Sequence, residues 1–596
     1  MVIKKFLIYI PLILILFLIQ SFFWVPTYEK QATGNPARLV KYVQGSSGDA
    51  QILNPTLNAD TTSSTICDLI FDGLIDLDKD LKYRPRLAKS WEQYEEVYLA
   101  INTSWFLPGG QLEKDADNWP EILVKALSEN KQWSANLRSI EVIAEETLEG
   151  EIEKIGYILK QPARLKFTLK NIDQDFFEPV RKFLGEDYFK SFPYLRFIEA
   201  KDAGQQKNLE KQYRKILRVT EHNPVIVFDL RKDAVFHDGH PFDSGDVLFT
   251  YNSIVNAKGT SPRKSDYEPV KLATVLGSHK IKFTYKRLFS PAFGSWSMGI
   301  LPEHLLNEKK LQEVAKERGR DPENFIMRDS NFGRHPVGTG AFKFVEWKSD
   351  EFIRLKHNKD YWEGAPEYEE YVMRIIPDAL TQEMEFYAGA IDNYSVQPHQ
   401  VARFSQENKF QSFSSIGYFY SYIGYNIRNP LFADAETRTA LGMAIDIDPI
   451  IKYVLYGEGE RVTGPYPKIT EWYDPDVKPL PYDPEGSLKI LNAKGWKKNA
   501  DGWLEKDGKL FEFNLISNSG NSIRKNILTI VQESWRKIGI KCNTQLFEWA
   551  VFLKDFVNKL KYDALVLGWS MGIDPDLYQI WHSSQSGPKQ LNFVGY

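Results

Sequence analysis

From Val225 to Arg231 the chain alternates, with Val225, Val227, Asp229 and Arg231 on one side and Ile226, Phe228 and Leu230 on the other. A period of two predicts a strand with a buried face. A polar turn around Asp238-Gly239 follows, then Pro241, and Ser244 is placed to cap a helix with Asp246 in its first turn. Val247, Leu248, Phe249, Tyr251 and Ile254 give that helix an apolar stripe. Thr and Ser caps near Thr61 likewise open a short helix through Ile66, Leu69, Ile70 and Leu74, and an extended segment then runs to about Pro85.

The same patterning recurs downstream. Leu165–Asn171 reads as a strand and Glu178–Gly185 as a helix, while Glu308–Arg318 reads as a charged, solvated helix. Glycine turns and alternating strands fill His335–Asp378. A helix follows, and Gly389-Ala390-Ile391-Asp392 is expected to form a strand beyond its C-cap. A strand enters a long helix over Tyr422–Ile451, and Tyr562–Leu567 is a further apolar strand.

The first residues have a different pattern. Lys4 and Lys5 precede an apolar run, residues 6–25, broken only by Pro11, Gln20 and Ser21. Its length suits a bilayer-spanning helix, and the basic flank places the N-terminus in the cytoplasm. The run is longer than a secretory signal needs and has no small-x-small cleavage site. No lipoprotein cysteine follows, since the first cysteine is Cys67. An uncleaved signal-anchor is expected, with a late-cleaved signal peptide as the alternative; either way the body is periplasmic or otherwise extracytoplasmic.

A chain of 596 residues is too long for one core, so two or more lobes are expected. With 75 basic and 79 acidic residues the net charge is -4, which excludes the basic field of a nucleic-acid partner. The 15 Trp and 30 Tyr suit a binding cleft as well as a core. Cys67 and Cys542 can pair or simply be buried, and without a Cys/His cluster no zinc site is expected.

Three motifs mimic chemistry. Asp76, Asp78 and Asp80 imitate a calcium loop, but Leu81 and Leu87 stand where its glycine and glutamate belong. His237, Asp238, His240 and Asp243 crowd one turn, which seldom lets ligands converge on a metal. Gly568-Trp569-Ser570-Met571-Gly572 fits G-x-S-x-G, yet Asp574-Pro575 breaks the chain where the elbow helix must start, and only His582 lies downstream as a base. No catalytic residue, metal or cofactor is expected.

Four stretches together carry a resemblance: the "PRLAKSWE" stretch ending at Glu92, the "FHDG" turn after Val225, "PVGTGAFK" with "NKDYWEGAP" from Pro336 to Pro366, and "LGWSMGIDPDLYQIW" ending at Trp581. With the strand and helix of Tyr422–Ile451, they resemble the family 5 extracellular solute-binding proteins of ABC importers, in the same order. The resemblance implies an α/β fold of the periplasmic-binding-protein type II, cluster C, with two large mixed-sheet lobes, an extra lobe and a cleft between them. It divides the chain into an anchor at 1–33, lobe I from 34–75 and 331–418, lobe II at 76–330 and lobe III at 419–596. About 130 residues, 93–223, interrupt lobe II as an insertion or enlargement. Relatives continue beyond the motif at the chain's end, so lobe III is expected to be truncated at Tyr596.

The resemblance also implies ligand contacts at Ser63, Ser64, Tyr418, Tyr420, Gly568, Trp569, Ser570, Met571 and Asp574, with ligand backbone pairing to Gly568 and Ser570. Peptide-binding relatives hold the ligand ammonium with an aspartate shortly after Gly-Trp. Here Met571-Gly572-Ile573 stand there, and Asp574 fits a helix cap better. A peptide therefore competes with a sugar, opine or metallophore as ligand. The expected partners are a permease and ATPase, the inner membrane through the N-terminal helix, and no nucleic acid; the chain is expected to be a monomer. A sensor or scaffold without transport, and a Ser570-dependent hydrolase, are the alternatives.

Overall fold

The alternating run at 225–231 lies within Thr220–Leu230, a strand near the centre of a six-stranded antiparallel sheet. The order across that sheet is Val270–Gly277, Lys280–Tyr285, Thr220–Leu230, Ala88–Ala100, Arg164–Leu169 and Leu137–Ile143. This computed structural model describes residues 15, 36–256, 261–470, 472–571, 576–587 and 590–596, and structural statements refer to these. The expected anchor at 6–25 lies outside them apart from Ile15. Among the described residues no helix is long and apolar enough to cross a membrane.

The two longest strands pair from Leu99↔Thr220 to Ala88↔Leu230. Segment 93–223 leaves and returns along them, and two of its strands, Arg164–Leu169 and Leu137–Ile143, extend the same sheet. Its helices bury Trp119, Trp133, Phe167, Phe176 and Tyr188 in a core of their own. The Tyr188 hydroxyl donates to the Ala100 carbonyl (2.6 Å) and accepts from the Asn102 N–H (3.0 Å), locking this core to the strand end.

Two four-stranded sheets complete the frame. One runs Lys41–Ser46, Glu370–Ile375, Phe352–His357 and Phe342–Lys348, its first pair parallel. The other runs Phe419–Tyr425, Ala564–Ser570, Glu512–Asn518 and Lys541–Phe547. Helices Ala435–Met443, Pro484–Ala493 and Ser522–Lys537 cover one of its faces, burying Leu441, Leu491, Val531 and Trp535.

Several local expectations shift. The 244–255 helix is capped by Asp243, one residue earlier than expected, because Asp243 accepts from Gly245 N–H (2.7 Å) while Asp246 reaches back to Asp243 N–H (3.0 Å). Asp60 caps helix Thr61–Ile70, whose Leu74 lies beyond its end. Segment 389–392 is a turn with a single bridge, Gln44↔Asn393, not a strand, since Gly389 takes φ +57°. The long helix expected over 422–451 is cut to Ala435–Met443, followed by a π-helical turn at Ile450–Val454.

Two of the family-like motifs converge on one carboxylate. Asp72, its side chain 0% exposed, pairs with Arg86 of the first motif. It also accepts from Tyr361 Oη (3.1 Å), Trp362 Nε1 (3.1 Å) and Thr339 Oγ1 (3.3 Å) of the glycine-turn motif. His237 of the polar turn joins them: its Nε2 donates to the Gly340 carbonyl (2.9 Å) and its Nδ1 accepts from Gly338 N–H (3.3 Å). Gly338 and Gly340 are glycines because they press on the end of helix Thr61–Ile70. A Cβ on Gly338 would lie 2.0 Å from the Ile70 carbonyl oxygen, and one on Gly340 2.6 Å from the Leu69 carbonyl oxygen.

Candidate functional site

The 419–570 sheet splits at one end. Strand Ala564–Ser570 pairs along its length with Phe419–Tyr425, from Ala564↔Tyr425 to Ser570↔Phe419. On its other side it meets Glu512–Asn518 only at Leu515↔Ala564 and Ile516↔Leu565. Beyond Leu565 the backbone ladder stops: the Ser517 hydroxyl donates to the Val566 carbonyl (2.8 Å), and past it the edge of Leu567–Ser570 borders a notch instead of a paired strand. An extended backbone can add to such an edge through main-chain hydrogen bonds.

Aromatic rings line this side of the sheet. Trp549, Trp569, Trp581 and Tyr422 pack over Leu565, Leu567 and Phe593. Trp569 stacks on Phe593 at 5.5 Å, and Trp581 donates from Nε1 to the Tyr420 hydroxyl (3.1 Å).

Contacts with the rest of the chain include two beside these aromatic residues. Trp549 lies against Gly48, just after strand Lys41–Ser46, where an added Cβ would come 2.6 Å from Trp549 Cδ1. The Gln579 amide donates to the Asp266 carboxylate, beyond the six-stranded sheet's helix 244–255. Burial pushes the Asp266 carboxyl up to about 6, against the Gln579 hydrogen bond and the Arg263 charge, which both favour its ionised form.

The most unusual charge lies at the mouth of the notch. Arg524, in the first turn of helix Ser522–Lys537, is 8% exposed. Its Nη1 donates to Asn518 Oδ1 (2.8 Å), its Nε has no hydrogen-bond partner, and no described carboxylate forms an ion pair with it. Desolvation lowers its pKa to about 10, against the opposing pull of the Tyr422 hydroxyl. A buried cation without an anion costs several kcal/mol, a cost that an anionic group on a ligand relieves.

The residues expected at the site fall into two groups. Tyr420, Gly568, Trp569 and Ser570 lie together on the paired strands, and the Tyr418 carbonyl accepts from Met571 N–H (2.6 Å). Ser63 is elsewhere: it is fully buried, and its Oγ accepts from Gln51 N–H (2.9 Å) and Ile52 N–H (3.2 Å). Ser64, half-buried, donates its N–H to the Asp60 carbonyl in the same helix turn. Asp574 lies outside the described residues. Trp549 and Arg524 were not anticipated. Nothing in the sequence singles out Arg524, and only its burial sets it apart.

The motifs that mimic chemistry have structural employment. Ser570 ends a strand, and His582 Nδ1 pairs with Ser584 Oγ (2.9 Å). Asp238 accepts from His304 Nε2 (2.7 Å), whose ring stacks on His240 at 3.9 Å, and no set of three potential metal ligands converges among the described residues. Asp78 Oδ1 accepts from the N–H groups of Asp80 and Lys82. Both cysteines are buried and free. An open groove of about 640 Å³, lined by Asp446, Lys452, Tyr453 and Tyr456, shares no residue with the notch.

Comparison with known proteins places this geometry. The profile of the bacterial extracellular solute-binding proteins, family 5 (Middle), matches residues 214–590, more than half of the chain. The oligopeptide-binding protein AppA of Bacillus subtilis is 35% identical over 375 residues, covering 62% of this chain and 66% of AppA. The dipeptide-binding protein of Escherichia coli is 23% identical over 372 residues, covering 59% of this chain and again 66% of the relative. The chain thus aligns with slightly less than two thirds of each relative's length.

Solved structures agree. The structure of AppA in complex with a nonapeptide superposes with a TM-score of 0.66 at 26% identity, covering 93% of this chain and 84% of that one. NikZ from Campylobacter jejuni, in complex with Ni(L-His), shares the fold with a TM-score of 0.63 at 21% identity, covering 94% and 84%. The fold is accordingly the α/β type II periplasmic-binding-protein fold. By the extent of the profile match and the order of its motifs, this chain belongs to the bacterial extracellular solute-binding proteins, family 5.

Proposed function

We propose that the chain is the extracytoplasmic receptor of an ABC importer, closing on a peptide or similar small solute and handing it unchanged to the permease and its ATPase. The observation that carries this reading is Arg524: a buried guanidinium without an anion, at the mouth of a notch bordered by free strand edge and tryptophan rings. A peptide supplies what each part lacks. Its backbone extends the sheet beside Leu567–Ser570, its side chains rest on Trp549 and Trp569, and its terminal carboxylate reaches Arg524. The likeness to peptide-binding AppA supports the same ligand class.

Three lobes serve this function in the proposal: 34–75 with 331–418, 76–330 carrying the 93–223 segment, and 419–596. Strand composition supports the division, because each large sheet draws its strands from one of these parts. Closure presses the Trp549 wall onto Gly48, and only differential affinity for the closed form drives it. Residues 6–25 tether the body as an uncleaved helix, on the strength of their apolar length and basic flank.

Thermal-shift screening of the full chain against free and C-terminally amidated peptides tests this reading. Free peptides are expected to raise the melting temperature, amidated ones to lose most of the effect, and Arg524→Gln to remove the difference between them. Steady turnover of the bound compound, or no response to any peptide, overturns the proposal.

A further inference from the structure

Segment 190–218 carries eight Lys and Arg against three Asp and Glu, in a chain whose net charge is -4. Lys207, Lys211, Arg214 and Arg218 recur every three to four residues through the short helices Gln206–Glu210 and Tyr213–Ile216 and the residues just after each. All four are exposed, while Leu209 and Leu217 between them are buried. The segment's ion pairs use Lys190, Lys201 and Lys215, which leaves these four cations without a carboxylate partner among the described residues.

Exposed apolar side chains lie in the same neighbourhood. Leu195 is 55% exposed, in a turn held to helix Tyr213–Ile216 by the Tyr194–Tyr213 ring pair at 4.6 Å. Arg196 Nη1 donates to Ser104 Oγ (3.1 Å), tying that turn to the loop leading into the hairpin of Phe106, which is 62% exposed. Cations alone would suit any polyanion. Cations beside Leu195 and Phe106 suit a surface that offers phosphates and, just beneath them, hydrocarbon.

We propose that this face of the 93–223 segment rests on an anionic phospholipid surface. The cations pair with headgroup phosphates, and Leu195 and Phe106 enter the acyl boundary. This is independent of ligand capture at the notch and adds a second membrane contact to the tether.

The test uses the full chain with Leu195→Cys carrying a nitrobenzoxadiazole fluorophore, since the natural thiols Cys67 and Cys542 are buried. The label reports the patch locally, whether or not the N-terminal run inserts. Vesicles of phosphatidylcholine with about one third phosphatidylglycerol are expected to brighten and blue-shift it, and pure phosphatidylcholine to leave it unchanged. Raising salt to about 0.5 M should reverse the change. The variant K207E/K211E/R214E/R218E should weaken the apparent affinity at least about tenfold. Phe106→Ser, which alters no charge, should weaken it less but measurably. The same label at Leu272→Cys, on the opposite edge strand of the sheet, should not respond. Equal responses to both vesicle types, or an unchanged response in both variants, overturn the proposal. So does a response to duplex DNA without one to lipid.

Discussion

Arg86 and Asp72 form an ion pair at the junction of two sheets, and the Asp72 carboxylate also accepts hydrogen bonds from Tyr361, Trp362 and Thr339. Desolvation alone would lower the Arg86 pKa, but Asp72, by charge and hydrogen bond, together with Tyr361 and Asp76 more than offsets it, and the guanidinium is held charged. Motifs more than 250 residues apart thus share one buried charge pair.

Removing one member of that pair should be severe. Arg86→Leu leaves a buried carboxylate without its cation and is expected to destabilise the fold by about 3–5 kcal/mol. Urea unfolding followed by tryptophan fluorescence measures it. A loss below about 1 kcal/mol would show the pair to be expendable.

Gly338→Ala and Gly340→Ala should each be poorly tolerated, because the new methyl meets helix backbone that cannot step aside. A loss of at least about 1–3 kcal/mol is expected from each. Gly277→Ala, whose methyl meets open space, is the matched control and should stay within about 1 kcal/mol of wild type. Equal melting temperatures for all three variants would refute the close approach.

His237 predicts a pH dependence. Burial lowers its pKa from 6.5 to about 4, so the folded protein holds it neutral where the unfolded chain protonates it. Its contribution to stability is full above pH 6.5 and is lost as pH falls from there towards 4, by up to about 3 kcal/mol. Asp246, pushed up to about 6 by burial, works in the opposite direction over part of that range. Comparing the wild type with His237→Gln isolates the histidine: its melting curve should fall less steeply below pH 6.5. Parallel curves would exclude the effect.

Gly48 and Trp549 predict a binding phenotype separable from stability. Gly48→Ala drives a methyl into the indole, so the two walls should close less completely. Affinity for a peptide ligand, measured by calorimetry, should drop while the unfolding midpoint barely moves. Adding Trp549→Ala should cost less in the Gly48→Ala background than in the wild type. Additive effects would place the contact outside closure.

Strand Thr220–Leu230 and helix 244–255 were legible, or nearly so, because alternation, caps and apolar stripes act over a few residues. Part of the family's fold was legible for a related reason: Arg86, Thr339, Tyr361 and Trp362, from two of the motifs that carry it, are partners of Asp72, and their residue types suit that burial. Distance along the chain hid the rest. Segment 93–223 reads as an insertion or an enlargement of lobe II, and strand pairing beside Ala88–Ala100 and Thr220–Leu230 adds two of its strands to the sheet. Ser63 reads as a ligand contact, whereas its hydroxyl is taken up by backbone N–H groups brought from Gln51 and Ile52. Nothing in the sequence marks Arg524, and packing removes it from water without an anion. Local sequence sets where the chain extends or coils, since those choices depend on neighbouring residues. Which polar groups end up dry, and beside what, is decided only when distant segments meet, because desolvation and pairing belong to the assembled fold.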